Sequence, residues 1–247
     1  MKNTHTEHLF TDALAFGTRN LYNHFGYLAT AALLGTIMAA AIMIGVTLGT
    51  IGVNFGYIQT MMIEIKTCCT SYNPELITVW IKNGGWRVLC FIGILLITAF
   101  AVARYIALGM IALALAIYDQ KPLSLALFFN AYRFLLSDCI ATFCYYCIVS
   151  IGLAFLILPG LYCMLAFSLY SQYIVDCHAG PFEALGKSFA ITKGHKLQLL
   201  GIVVVVSIIQ TVVAFIFSGL LSFLVFPFVA LTMTYVYREL FAAHTRA

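Results

Sequence analysis

Residues 158–196 read LPGLYCMLAFSLYSQYIVDCHAGPFEALGKSFAITKGHK. Pro159-Gly160 opens the stretch as a tight turn, because this pair punctuates chains. One short apolar span follows, and then a basic amphipathic segment that leads into the next span. The rest of the chain reads as variations on this unit. The fold class expected from it is all-α: an integral membrane protein of six transmembrane helices with amphipathic helices on the cytoplasmic interface.

Composition agrees. The chain is 63% hydrophobic and only 9% charged, with a mean hydropathy of +1.00. A soluble domain carries about 25% charged residues, so this chain has too little charge to coat a water-facing surface. A helical span needs about 20 apolar residues, and 247 residues leave room for roughly six. The net charge of +4 is too small to point to nucleic acid. The N-terminus, MKNTHTEHLFTDAL, lacks an apolar core and carries Glu7 and Asp12, so it is read as neither a signal nor a transit peptide. The first hydrophobic helix is expected to act as an uncleaved insertion signal.

Taken in order, residues 1–26 contain a cytoplasmic amphipathic helix with Phe10, Ala13, Leu14, Gly17 and Leu21 toward lipid. Span 1 covers 27–53, where Gly45 and Gly49 allow close helix contact and homo-oligomers. Residues 54–86 form the one long polar connection, with YIQTMMIEI as a further interfacial helix. Span 2 covers 87–118, and from Trp86 it measures about 50 Å as one helix. A second interfacial segment, 119–138, turns Leu123, Leu127, Ala131 and Leu135 to one side. Span 3 covers 139–158 and span 4 covers 161–175. The third interfacial segment, 176–196, groups Phe182, Leu185 and Phe189. Span 5 covers 197–217, and span 6 covers 220–236 with a kink at Pro227.

Short internal echoes suggest a threefold repeat of interfacial helix, span, span. Ala13-Leu14 precedes His24 by the interval at which Ala184-Leu185 precedes His195, and Ile117-Tyr118-Asp119 resembles Ile174-Val175-Asp176 ahead of a proline. Lys and Arg set orientation. Nine of them, Lys2, Arg19, Lys121, Arg133, Lys187, Lys193, Lys196, Arg238 and Arg246, fall on one side, against Lys66, Lys82 and Arg87 on the other. Both termini are therefore expected in the cytoplasm.

Arg104 is the only charged residue inside an expected span, and an intramembrane charge marks a pathway or partner by default. Two placements satisfy it. Either it faces the bundle interior, or it snorkels at the outer surface with Trp86–Ala103 projecting. No acidic residue falls in the other expected spans to pair with it, because Asp119, Asp138 and Asp176 sit near span ends. Asp119 and Asp176 read as caps of the helices that follow. Lys187, Lys193, His195 and Lys196 are candidate contacts for anionic headgroups, beside the plainer reading that they only fix topology. His24 and His195 read as interfacial anchors.

Cys90, Cys139, Cys144, Cys147 and Cys163 fall in spans as small packing residues. Cys144-x-x-Cys147 has no further pair nearby, so no metal is expected, and Cys68-Cys69 reads as free or palmitoylated thiols. The spans carry Ser and Thr but no accompanying His, Asp or Glu, which disfavours an intramembrane enzyme and a proton-coupled transporter. No cofactor is expected. The expected partners are membrane lipids or another membrane protein, and the rival is a transporter or channel for a small or amphiphilic solute.

Three motifs carry a family resemblance: the LPG turn, the A-L-x-x-S-x-x-x-x-K-G run of Ala184, Leu185, Ser188, Lys193 and Gly194, and the closing Phe226, Pro227, Tyr235, Tyr237, Arg238, Glu239 and Leu240. The chain, best over residues 105–240, resembles the YciC-like bacterial inner-membrane proteins and the membrane domain fused to some glycerophosphodiester phosphodiesterases. The resemblance implies a six-helix bundle in the bacterial inner membrane. It supplies no catalytic residues.

Overall fold

The computed structural model describes residues 9–70, 86–216 and 225–246, without the side chains of 50–70, 87–88 and 214. The expected polar stretch 71–85, the connection 217–224, and the side chains of Lys66, Cys68, Cys69, Lys82 and Arg87 lie outside the described residues. Among the described residues every regular element is a helix. In chain order these are α1 (Leu9–Asn23), α2 (Phe25–Thr70), α3 (Trp86–Tyr118), α4 (Leu125–Asn130), α5 (Tyr132–Phe155), α6 (Ile157–Ala166), α7 (Tyr170–Cys177), α8 (Pro181–Ile191), α9 (Lys196–Ile216) and α10 (Val225–Thr245).

Segments of five of these stretches are long and apolar enough to cross a membrane: Phe25–Gly49, Leu89–Tyr118, Tyr132–Phe155, Ile157–Cys177 and Lys196–Val213. The polarity of the fold runs the same way. Asp138, Thr142, Ser171, Ser188, Thr192 and Thr232 are buried, while Phe143 is 70%, Phe155 81% and Phe215 87% exposed. Water would penalise apolar exposure on this scale, whereas lipid solvates it.

The chain divides into two compact units, one of residues 37–103 and one of 1–36 with 104–247. The first unit holds the later part of α2 and the early part of α3. There α2 stays helical through Thr70, so the helix expected at YIQTMMIEI continues from span 1 without a break. No Gly or Pro interrupts the run from Tyr57 until Pro74, and Met61, Met62, Glu64 and Lys66 are good helix formers. A Cβ added at Gly45 or Gly49 meets nothing within 4 Å.

The second unit is the bundle, and the expected interfacial segments ahead of spans 1, 3 and 5 each bury one face in it. In α1 the buried residues are Leu9, Ala13 and Gly17. The expected helical period is present, but the face meets α10 rather than lipid. At Gly17 a side chain would collide with Thr232 and lie 3.1 Å from the Phe228 ring. In the second segment Phe128 and Ala131 are buried instead of Leu127. The Phe128 ring lies where a Cβ on Gly109 would come within 2.5 Å, so glycine makes room for it. In α8 the buried face is Ala184, Leu185, Ser188 and Ile191, whereas Phe182 is 71% exposed.

The Pro159-Gly160 turn is also shifted. α5 ends at Phe155, Leu156 is extended with φ −164 and ψ 150, and Pro159 sits in the first turn of α6. Proline is tolerated there because that N–H has no helical partner. Gly160 serves packing instead: its backbone is so close that a Cβ on Gly152 would stand 2.9 Å from its Cα.

Span 4 is two helices, α6 and α7, broken at residues 167–169. The breach is closed from α8. The Ser188 hydroxyl donates to the Ala166 carbonyl at 3.1 Å and accepts from the Leu169 amide at 3.2 Å. Thr192 donates to the same carbonyl at 3.0 Å. Ser188 of the A-L-x-x-S motif is therefore a splint, and its Gly194 has φ +93, a conformation that favours glycine.

Pro227 lies in the first described turn of α10, and the residues before it on which the expected kink falls lie outside the described residues. The apolar run of α10 stops at Tyr237, before Arg238-Glu239. Residues 217–224, which include the start of the expected span 6, lie outside the described residues.

Candidate functional site

Arg104 lies inside the bundle with a partner that the sequence reading placed elsewhere. Its Nε donates to Asp138 Oδ2 at 2.7 Å, and Nη2 donates to Asp138 Oδ1 at 2.9 Å and to Ser171 Oγ at 2.8 Å. Ser171 in turn donates to Asp138 Oδ1 at 2.8 Å. Asp138 is fully buried and the Arg104 side chain is 21% exposed. This fork geometry is the strongest form of Arg–carboxylate pairing. It ties α3 to α5 and α7.

The sequence pattern starts span 3 at Cys139 and so puts Asp138 at its edge. α5 begins at Tyr132, so Asp138 is nearly two turns inside. The sequence carried a signal for this. Asp138 and Thr142 are four apart and share a face, and Tyr170, Ser171 and Gln172 interrupt the next apolar run. Thr142 Oγ1 lies 2.8 Å from the Tyr170 hydroxyl, extending the polar cluster.

A cavity of about 300 Å³ opens beside the pair. Arg104, Tyr146, Ser168, Ser171 and Gln172 line it together with apolar residues such as Ile111 and Met164.

A second cluster joins the ends of three elements. Arg238 Nη1 donates to Asp176 Oδ2 at 2.9 Å, and Nη2 donates to Asp176 Oδ1 and Asp119 Oδ2 at 2.8 Å each. The Tyr237 hydroxyl donates to Asp176 Oδ2 at 2.8 Å, and Tyr118 donates to Glu239 at 3.3 Å. Asp119 and Asp176 are thus not helix caps. Ser124 and Gly180 hold those positions, and both carboxylates go to Arg238. Burial, reinforced by Asp176, pushes the Tyr237 phenol above its ordinary range.

Next to this network is a cavity of about 420 Å³. Its lining joins apolar Leu115, Leu127, Phe134 and Val175 to Lys121, Arg133, His178, Asp119 and Asp176. Lys121 also donates to Asp119 at 2.9 Å, and His178 stacks on Phe134 at 4.9 Å. His178 takes the left-handed φ of 53 that ends α7.

The four residues expected to contact headgroups separate into different roles. Lys187 and Lys193 are exposed, while His195 is half-buried with its Nδ1 3.2 Å from Gln198 Oε1. Lys196 points elsewhere. Its ammonium lies 3.0 Å from the Tyr162 ring centroid and 4.9 Å from that of Phe189, buried with no hydrogen bond. Among the described residues no three His, Cys, Asp or Glu side chains cluster as a metal site.

The fold and these clusters define an all-helical protein whose apolar helices suit a multi-pass membrane setting. The model of the DUF7847 family, a domain of unknown function, matches residues 9–244, and the chain belongs to that family. No curated protein and no solved structure matches it.

Proposed function

We propose that this is a non-enzymatic, multi-pass protein of the bacterial inner membrane that holds anionic lipid at its cytoplasmic side. Six spans arranged as a threefold repeat, with both termini inside, complete the reading, and the resemblance to YciC-like proteins supports it. The repeat gains support from Asp119, Asp176 and Arg238. Each follows the second span of one unit in sequence, and the three meet in one ionic cluster.

The observation that carries the lipid reading is the 420 Å³ cavity. Its apolar lining suits acyl or glycerol carbons, and its basic lining suits a phosphate. Asp119 and Asp176 are engaged by Arg238, and Asp119 also by Lys121, which leaves Arg133 as the lining cation without a carboxylate partner among the described residues. Near a membrane each basic group contributes about 1 kcal/mol toward anionic headgroups. Exposed Lys187 and Lys193 add to the same attraction.

Photo-crosslinking with a diazirine phosphatidylglycerol, mapped by peptide mass spectrometry, tests this reading. Labelling should concentrate on residues 112–134 and 175–178 and fall in Lys121→Ala/Arg133→Ala. Labelling spread evenly over the lipid-facing helices, or unchanged in the double variant, would remove the basis for this site.

The second reading, transport of a small or amphiphilic solute, is favoured by one observation: Arg104 lines a cavity rather than snorkelling to a surface. Solute flux in proteoliposomes that disappears in a cavity variant would promote it.

A further inference from the structure

The Arg104 cavity presents hydrogen-bond donors and no carboxylate. A guanidinium has five N–H donors in a fixed fork. In Arg104, Nε and Nη2 are engaged by Asp138 and Ser171, whereas Nη1 makes no hydrogen bond among the described residues. Nη1 is not one of the buried unpaired polar atoms either, so an open N–H remains on a residue of the cavity lining. The same is true of the Tyr145 hydroxyl, in the same lining. Arg104 is the only charged residue of that lining among the described residues.

Charge and shape narrow what such a site accepts. Asp138 already neutralises Arg104 through two hydrogen bonds, so the cavity has donors without a net positive charge. A carboxylate or phosphate would give up its hydration for one shared guanidinium, a poor exchange for an ion. A neutral oxygen acceptor has less hydration to lose and still gains a bond from a charged donor. The walls are aromatic. The Tyr145 ring lies 5.3 Å from Tyr146 and 5.7 Å from Tyr170, and the Arg104 Cζ is 5.9 Å from the Tyr170 ring. Tyrosine rings at such angles favour offset or edge contact with another flat ring. A volume of about 300 Å³ is at the small end for ligand pockets, which suits one ring rather than a glycerol with two chains. Tyr146 and Met164 of the lining are also exposed on the outer surface, at 56% and 36%, so a chain attached to the ring has a way out to lipid.

We infer that this cavity binds the head of a lipid-soluble quinone, a neutral flat ring bearing carbonyl acceptors and one apolar tail. Arg104 Nη1 donates to one carbonyl and the Tyr145 hydroxyl to another, while the tyrosine rings pack against the head. Ile111 and Met164 meet its apolar substituents. Binding alone is assigned, with no change in the redox state of the ring. The site is separate from the basic cavity of the proposed function and does not depend on it.

The test uses the full chain, delipidated in one detergent, with the thermal unfolding midpoint followed against decyl-1,4-benzoquinone, decylbenzene and decanoate. A ligand that binds the folded state raises the midpoint with concentration. The quinone should bind at least about tenfold more tightly than decylbenzene, the worth of one hydrogen bond from a charged donor, and more tightly than decanoate. Tyr145→Phe keeps the ion pair intact and should weaken the quinone about threefold, the worth of one neutral hydrogen bond, leaving decylbenzene unaffected. Arg104→Met/Asp138→Leu, which removes both charges together, should abolish the preference for the quinone over decylbenzene. Lys121→Ala/Arg133→Ala should leave quinone binding unchanged. Equal binding of quinone and decylbenzene, tighter binding of decanoate, a quinone affinity unchanged in Tyr145→Phe, or one lost in the Lys121/Arg133 variant would each overturn the inference.

Discussion

Asp138→Asn removes a carboxylate from a fully buried position while leaving the Arg104 guanidinium in place. The native pair has two charge-assisted hydrogen bonds, at 2.7 and 2.9 Å, and shares Ser171. Removing one member of a buried ion pair costs about 3–5 kcal/mol, because the other charge stays behind without compensation. Arg104 keeps 21% exposure, which relieves part of this and sets the expectation near the lower end, about 3 kcal/mol. For a chain of this length that is a fall of roughly 6–12 °C in unfolding midpoint. Arg104→Gln/Asp138→Asn removes both charges and should recover most of the loss, since uncharged replacements of a buried pair are often neutral. The assay is thermal unfolding in one detergent for the wild type, both single variants and the double. A double variant as unstable as the sum of the singles would show that the two residues act independently and refute the pairing argument.

Other expectations follow from the same geometry. Ser188→Ala removes both hydrogen bonds across the α6–α7 break and should cost about 1–3 kcal/mol, read as increased amide exchange at residues 166–170. Tyr237→Phe should destabilise the wild type at neutral pH, where the phenol donates to Asp176. The folded pKa is raised above 10.0, so the phenol's contribution is complete below that pH and is lost as pH rises beyond it. The gap between wild type and Tyr237→Phe should therefore shrink in alkaline unfolding series, and a gap constant to pH 11.5 would contradict this. Lys196→Gln should lower stability by about 1–2 kcal/mol through loss of its contacts with Tyr162 and Phe189, whereas Lys193→Gln, exposed, should leave the midpoint unchanged. Gly109→Val should destabilise through the Phe128 ring, and Phe128→Ala in the same chain should restore part of the loss.

The class of fold was legible because helical periodicity and charge scarcity are properties of sequence alone. The partners of each face were not. Ala13 and Gly17 announce a helix face, but the same spacing serves lipid or α10, and only Thr232 and Phe228, more than 200 residues away, decide between them. Likewise Arg104 was visible as a lone intramembrane charge. Its partner was hidden by a boundary error of a few residues at the start of α5, which left Asp138 at a surface. The LPG and A-L-x-x-S motifs are visible in the sequence, yet their work differs from a simple turn and a helix face. Gly160 lets two helices approach, and Ser188 splints a break whose position no local pattern announces. The closing Tyr237-Arg238-Glu239 read as a helix end. Three long-range contacts make it the hub for Asp119 and Asp176.

On the proposal above, the bundle retains anionic lipid in the basic cavity beside the Arg238 network. Native mass spectrometry of the full chain, released from membranes with its own lipids, addresses it most directly. The wild type should hold an anionic phospholipid at defined stoichiometry, and Lys121→Ala/Arg133→Ala should lose it. A wild-type chain that emerges free of anionic lipid, or a double variant that carries the same complement, would contradict it.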